Sequence, residues 1–161
     1  MNVARVLVAV LVAVVMLLAR ASPARAQACA VAATGLGFGV YNTGTATPND
    51  TTGTVTVTCS SLSSIAVSYT IALSPGAGGS VAARSMTAAG VSPLAYQIYT
   101  DTMRTRIWGD GTAGSFNVGD SYTLPAILPV VRQYTGYGRM PARQLVSPGT
   151  FGDTVSVMIT Y

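Results

Sequence analysis

Residues 53–59 read GTVTVTC, and this stretch decides the fold class. Threonine and apolar residues alternate over residues 54–59, which is the two-residue period of a β-strand that buries one face. The pattern predicts that Val55, Val57 and Cys59 point into a core while the threonines between them point toward solvent. Valine and threonine are both β-branched, and such side chains favour strands.

The same alternation recurs along the chain. It is found in residues 65–73, 94–99 and 155–161, and Gly- and Pro-rich turn signals separate these runs. Residues 121–132 form another apolar stretch, in which Pro125 and Pro129 predict an edge strand or a strand that changes sheet. Short alternating strands with such punctuation predict an all-β fold, an antiparallel β-sandwich.

The first residues have the features of a secretory signal peptide. Arg5 precedes an apolar run, VLVAVLVAVVMLL at residues 6–18, and Pro23 and the tripeptide ARA at residues 24–26 follow it. The alternative is a membrane anchor, but the run is shorter than the roughly 20 residues that span a bilayer. We therefore expect residues 1–26 to be removed on export and residues 27–161 to form one domain that does not span a membrane.

The positive charge of the chain belongs largely to this signal. All nine basic residues are arginines, and Arg5, Arg20 and Arg25 precede the predicted cleavage site. Six arginines then remain against five aspartates, so the net charge falls from +4 for the whole chain to +1. A nucleic-acid partner would require a basic stripe, and we expect no such partner.

The domain contains two cysteines, Cys29 and Cys59. An exported protein folds in an oxidising compartment, where two cysteines are expected to pair. The sequence therefore predicts a Cys29–Cys59 disulfide, and the alternative is a pair of buried free thiols.

The composition excludes several kinds of catalysis. Without histidine or lysine, no Ser–His–Asp, Cys–His or Schiff-base chemistry can form. The remaining enzyme hypothesis is a secreted hydrolase that uses paired aspartates. Asp50, Asp110 and Asp120 lie in turn-like contexts, however, and we interpret them as turn residues. We expect no enzymatic activity, no cofactor and no metal.

Two further side chains have two interpretations each. Trp108, the only tryptophan, is either an exposed contact residue or part of the core, and we favour the core. Arg139 either forms a buried, charged hydrogen bond that holds a crossover loop or is simply exposed.

A series of short motifs runs through residues 29–161. They are Cys29 with GFGVY (37–41), GTVTVTC (53–59), YTIALS (69–74), RSM (84–86), LAYQIY (94–99), WGDG (108–111), YGRMP (137–141) and PGTFGDTVSVMITY (148–161). In this order they resemble the spore coat protein U domain family, which includes myxobacterial spore coat protein and the subunits of archaic chaperone–usher pili.

The resemblance implies an immunoglobulin-like sandwich that lacks its final strand. In such pilus subunits a periplasmic chaperone fills the gap first, and the N-terminal extension of the next subunit fills it after assembly at an outer-membrane usher. The missing strand lies beside the C-terminal strand in this family. By this resemblance, the groove residues are Val155, Val157, Ile159 and Tyr161.

The start of the predicted domain departs from the pattern of a strand-donating subunit. Only Gln27 and Ala28 precede Cys29, whereas a donor strand needs roughly ten residues. We therefore expect an adhesive or structural subunit of tip or terminal type, which accepts a strand and does not donate one, on the cell surface or in an extracellular fibre. The alternative is a stand-alone spore or cell coat protein.

Overall fold

The computed structural model describes residues 27–161. The predicted signal peptide, residues 1–26, lies outside the described residues, and its removal stays a prediction. Apart from a single-turn 3-10 helix, Gly76–Gly78, the regular elements in the described part are strands. They are β1 (Gln27–Ala33), β2 (Asn49–Ser61), β3 (Ile65–Leu73), β4 (Ser85–Met86), β5 (Leu94–Ala95), β6 (Gln97–Tyr99), β7 (Val118–Leu124), β8 (Val130–Met140) and β9 (Val157–Thr160).

The strands form two principal antiparallel sheets. One has the order β1-β2-β8-β6 and the other the order β7-β3-β9, while β4 and β5 form a small separate pair. Buried side chains from both large sheets meet in one core. The predicted all-β fold, an antiparallel sandwich, is therefore confirmed.

The alternating runs behave as predicted in the two central strands. Val55, Val57 and Cys59 of β2 are buried, and the threonines between them are half-buried on the other face. In β3, Val67, Tyr69, Ile71 and Leu73 are buried in the same way. These two strands belong to opposite sheets, so their buried faces supply the two sides of the core.

The run of residues 94–99 is not one strand, as its alternation suggested. It divides into β5 and β6, which belong to different sheets. The break falls at Tyr96, whose backbone N–H donates a hydrogen bond to the carbonyl oxygen of Arg84 (3.1 Å). Because this residue is bound to a loop instead of a neighbouring strand, the ladder cannot continue through it.

The prolines of residues 121–132 mark a change of sheet, as expected. The chain leaves β7, an edge strand of the three-stranded sheet, and passes Pro125 and Pro129 before it enters β8 in the other sheet. Neither proline lies inside a strand, where it would remove a ladder hydrogen bond.

The predicted disulfide is confirmed. Cys29 of β1 lies directly opposite Cys59 of β2 in the antiparallel register, and the two are bonded. The bond attaches the first strand of the domain to the strand that forms its centre. No free cysteine remains among the described residues.

Trp108 is part of the core, in agreement with the favoured interpretation. Its side chain is 1% exposed, and its indole Nε1–H donates to the carbonyl oxygen of Ile71 (3.1 Å). Gly136 of β8 lies over the ring, since a Cβ there would be 3.5 Å from it. The tryptophan therefore fills the space between the two sheets and satisfies its one donor.

Arg139 forms the charged hydrogen bond of the first alternative but is partly exposed, as in the second. Its Nε and Nη2 atoms donate to the two carboxylate oxygens of Asp50 at 2.7 and 2.8 Å, and Arg104 approaches the same carboxylate at 3.2 Å. The site is partly exposed, and the hydrogen bond from Arg139 lowers the pKa of Asp50. The pair links β2 to β8 across the ladder, so Arg139 does not hold a crossover loop.

The turn interpretation is correct for Asp110 and wrong for two other aspartates. Asp110 accepts hydrogen bonds from the backbone and hydroxyl of Thr112 within a turn. Asp50 and Asp120 instead lie in strands. Asp120 accepts a 2.6 Å hydrogen bond from the hydroxyl of Tyr134, because it points from β7 toward β8 between the sheets. The sequence around Asp50 and Asp120 resembles turns, but both side chains bind partners on strand β8 instead.

Arg84 is a buried charge that the sequence did not single out. Its side chain is 1% exposed, and its guanidinium donates to the carbonyl oxygens of Leu73, Ser74 and Val81 and to the side-chain oxygen of Gln97. Burial lowers its pKa. Because its partners are neutral oxygens from separate segments, Arg84 joins the end of β3, the loop after it and the start of β6.

Loss of the disulfide should destabilise the domain. The cysteines are 30 residues apart, and closing a loop of this length contributes about 3–4 kcal/mol in the chain-entropy model. We expect the Cys29→Ser/Cys59→Ser variant to lose that amount of unfolding free energy in urea. A reducing agent should destabilise the native protein equally and leave the double variant unchanged; equal unfolding curves for oxidised and reduced native protein would contradict the prediction.

Replacement of Arg84 should also be costly. Arg84→Met leaves several buried carbonyl oxygens without donors, and each such group costs about 1–3 kcal/mol, so we expect a loss of roughly 3 kcal/mol or more. Arg143→Met, at an exposed arginine, is the matched control and should leave the urea midpoint unchanged. Similar midpoints for the two variants would show that the Arg84 hydrogen bonds contribute little.

Candidate strand-accepting groove

The two large sheets each present an unpaired edge on the same side of the sandwich. Strand β9 pairs with β3 and is the last strand of its sheet, while β1 pairs with β2 and is the first strand of the other. No other described strand lies between β1 and β9. An edge of this kind exposes a row of backbone N–H and C=O groups that another strand can bind.

A cavity of about 350 Å³ lies between these edges. Residues 33–36, which continue from β1, form one wall, and residues 153–155 together with Val157 form the other. The floor consists of core side chains, namely Val55, Leu73, Ile98 and Trp108. The gap between the edges therefore leads directly to the hydrophobic core.

A larger cavity of about 880 Å³ continues in the same direction. Its walls are residues 36–43 and 146–153, so each wall of the first cavity is extended along the chain. The two cavities share three lining residues, Leu36, Met86 and Asp153. Together they form one long groove along one side of the sandwich.

The four groove residues inferred from the resemblance occupy different positions. Val155 and Val157 are half-buried and line the smaller cavity. Ile159 is half-buried against the core beyond the cavity, and Tyr161 is 69% exposed. Val155 and Val157 therefore lie together at the smaller cavity and Ile159 and Tyr161 lie outside it, and the strand-accepting role of all four stays a prediction.

Asp153 is held rigidly at the point where the two cavities meet. Its carboxylate accepts hydrogen bonds from the hydroxyl of Tyr96 (2.6 Å) and from the backbone N–H of Ala77 (2.8 Å). Burial and this carboxylate raise the pKa of Tyr96, which therefore keeps its proton and acts as the donor. Gly76, with a φ of 67°, is required beside it, because a Cβ there would overlap the carboxylate.

Sequence reasoning missed several residues of this groove. Leu36, Met86, Tyr96 and Asp153 come from four segments that alternation alone does not bring together. The available signal was their presence in or beside the short motifs, since Met86 and Tyr96 lie in RSM and LAYQIY and Asp153 lies in the closing motif.

The groove combines the backbone groups of two strand edges with a floor of apolar side chains. Strand addition, in which an extended peptide joins a sheet edge, uses this combination. Within residues 27–161, no group of three or more His, Cys, Asp or Glu residues could hold a metal ion. In the same part of the chain, no helix is long and apolar enough to cross a membrane.

Comparison with solved structures supports the fold. One similar structure is the chaperone–tip adhesion subunit pre-assembly complex, CsuC–CsuE, from archaic chaperone–usher Csu pili of Acinetobacter baumannii. The match has a TM-score of 0.53 at 18% sequence identity, and covers 84% of this chain and 40% of the matched chain. The present chain thus spans less than half of the length of its structural relative. No curated protein matches it significantly.

The family itself is shown by the sequence. The model of the Spore Coat Protein U domain matches residues 15–158, which is most of the chain. The chain therefore belongs to the Spore Coat Protein U domain family.

Proposed function

We propose that this protein is an exported structural subunit of an archaic chaperone–usher pilus that accepts a strand from another chain between β1 and β9. The observation that carries the proposal is the pair of unpaired edges with an open path to the core between them. The family and the fold shared with part of a chaperone–subunit complex support this role.

Strand addition would correct two unfavourable features at once. An incoming strand would bind the backbone edge of β1 or β9, and its alternate side chains would fill the cavity above Leu73 and Trp108. An edge left open favours aggregation. The same surface therefore requires a partner from the moment of folding, which fits a periplasmic chaperone first and another pilus subunit later.

The proposed route leads through the periplasm to the cell surface. Residues 1–26 would direct export and be removed, and the Cys29–Cys59 bond fits an oxidising compartment. The partners on this route would be a chaperone, an outer-membrane usher and other pilus subunits. A nucleic-acid partner forms no part of the proposal.

The separate environments of the five aspartates support a structural role over a hydrolytic one. Asp50 binds arginines, Asp101 and Asp110 bind turn residues, and Asp120 and Asp153 bind different tyrosines. No two of them share a hydrogen-bond partner. A paired-aspartate hydrolase would need two carboxylates that face one substrate.

The terminal position of the subunit is the finer part of the proposal. Cleavage after Ala26 would make β1 the first segment, and all seven of its residues are paired with β2. Such a subunit would accept a strand without donating one. We expect N-terminal sequencing of the secreted protein to begin at Gln27; an extension of about ten residues before Cys29 would contradict the terminal assignment.

Charged substitutions on the groove wall should prevent partner binding. We expect Val155→Lys and Val157→Lys to reduce the yield of a one-to-one complex about tenfold or more when the protein is co-expressed in a periplasm with its cognate chaperone. The control is Met103→Lys, at an exposed site outside both cavities, and it should leave the yield unchanged.

Native mass measurement distinguishes the outcomes of this experiment. A protein that is soluble only as the one-to-one complex agrees with the proposal. Recovery of the native protein alone as a stable monomer would contradict it and favour the alternative of a self-sufficient coat protein.

A further inference from the structure

Four exposed aliphatic residues lie together at one end of the sandwich. Leu62 follows β2, Ile127 and Leu128 lie in the loop between β7 and β8, and Val131 lies at the start of β8. These segments meet there, because the backbone N–H of Ile127 donates a hydrogen bond to the carbonyl oxygen of Ser61 (2.8 Å). All four residues, which we call the apolar end, are more than half exposed, and none of them lines either cavity. Single exposed aliphatic residues are common, whereas a group of them marks an interaction surface.

The apolar end carries no charged side chain. Residues 54–83 and 121–131, which include all four of its residues, contain no Asp, Glu, Lys or Arg. The charged residues that flank the second segment, Asp120 and Arg132, lie 3.7 Å apart and form an ion pair with each other. Attraction between charges therefore contributes little to binding at this surface, and a partner would gain mainly from the removal of apolar side chains from water.

The backbone at Ile127 is strained in a way that packing does not explain. Its φ is 68°, in the left-handed region that β-branched residues rarely adopt and that Gly or Asn occupies more easily. The residue is 78% exposed, so its side chain gains little from contacts within the domain. Backbone strain of this kind is often found where a segment has a function. An isoleucine at this position therefore indicates a contact that is made outside the domain.

The predicted signal peptide joins the domain at this same end. Gln27, the first residue of β1, lies directly opposite Ser61 in the ladder with β2. The apolar run of residues 6–18 is separated from Gln27 by residues 19–26, and eight residues span at most about 29 Å when fully extended. A signal peptide inserts its apolar run into a membrane before it is cleaved. Until cleavage, the apolar end would therefore lie close to a lipid bilayer.

We propose that the apolar end is a membrane-contact surface, whose aliphatic side chains enter the outer part of a lipid bilayer while the domain stays beside it. The lipid surface that fits is an uncharged or zwitterionic one, since the apolar end has no basic side chain for anionic headgroups. The contact does not depend on strand acceptance, because its four residues lie outside both cavities.

A contact at this end would leave the larger cavity accessible. Strand β2 runs from Asn49 to Ser61, so its 13 residues extend over about 40 Å. The side chain of Asn49 donates to the carbonyl oxygens of Phe38 and Val40 in the wall of the larger cavity, whereas the apolar end adjoins Ser61. A domain that rests on a membrane by its apolar end would therefore direct the larger cavity away from the lipid, where a soluble partner can reach it.

Flotation with lipid vesicles tests the proposal. We expect the protein purified from a periplasm, alone or in its chaperone complex, to bind phosphatidylcholine vesicles equally at low and high salt, because no ion pair is involved. The chaperone alone should not bind them. Ile127→Asn should lower the affinity for the vesicles about tenfold, since an apolar side chain is lost from the contact. The matched control is Met103→Asn, because Met103 is equally exposed (78%) but lies in the loop after β6.

The stability of the Ile127→Asn variant separates a lost contact from a lost fold. Asn tolerates a positive φ better than Ile, so the urea midpoint of this variant should equal or exceed that of the native protein. Ala113→Asn, at another exposed residue with a positive φ (49°), controls for asparagine in this conformation and should leave vesicle binding unchanged. Weaker vesicle binding by a variant of undiminished stability would support the proposal.

Three results would overturn the proposal. The first is a native protein that does not float with the vesicles, and the second is an equal loss of binding in Met103→Asn. The third is an Ile127→Asn substitution that weakens the chaperone complex but not vesicle binding, which would make the apolar end a protein interface. Failure of strand acceptance would be recognised separately, since a stable monomer that binds vesicles through Ile127 contradicts the proposed function and supports the membrane contact.

Discussion

Hydrogen bonding along β2 is the constraint on which the rest of the sandwich depends. This strand of 13 residues pairs with β1 over seven residues and with β8 over eleven, so most of its backbone is satisfied on both sides. Its buried face supplies Val55, Val57 and the disulfide partner Cys59 to the core. Because the backbone of this central strand is hydrogen-bonded on both sides, unpaired backbone groups occur mainly at the edges of the sheet.

The edges of the two sheets are linked by polar hydrogen bonds on one side of the molecule and not on the other. On the side of β7 and β8, Asp120 and the hydroxyls of Tyr134 and Tyr69 form a chain of 2.6 Å hydrogen bonds between the sheets. On the side of β1 and β9, no such polar bridge between described residues crosses the gap, and a cavity lies above the apolar floor that contains Trp108. The Arg84 network holds the end of β3 against the start of β6, and these two strands contribute Leu73 and Ile98 to the floor of the opening.

The predictable part of the structure is the part that depends on local pattern. Alternation in residues 53–59 and 65–73 predicted β2 and β3, and the two cysteines predicted their bond. The roles of Arg84, Asp120 and Asp153 could not be predicted, because each depends on partners from distant segments that have no common spacing. For the same reason the family resemblance indicated a groove beside the last strand, whereas its continuation along residues 36–43 and 146–153 required the structure.

The inward-pointing Asp120 has a consequence for how many partners the sandwich can take up. Inward charges and short strands are devices that make a sheet edge unsuitable for further pairing, and the described part of the chain has both. Asp120 lies on the edge strand β7, and the edge strand β6 is only three residues long. The opening between β1 and β9 is then the edge that is left for the strand proposed above. A subunit with one such site would join a linear assembly rather than a branched one.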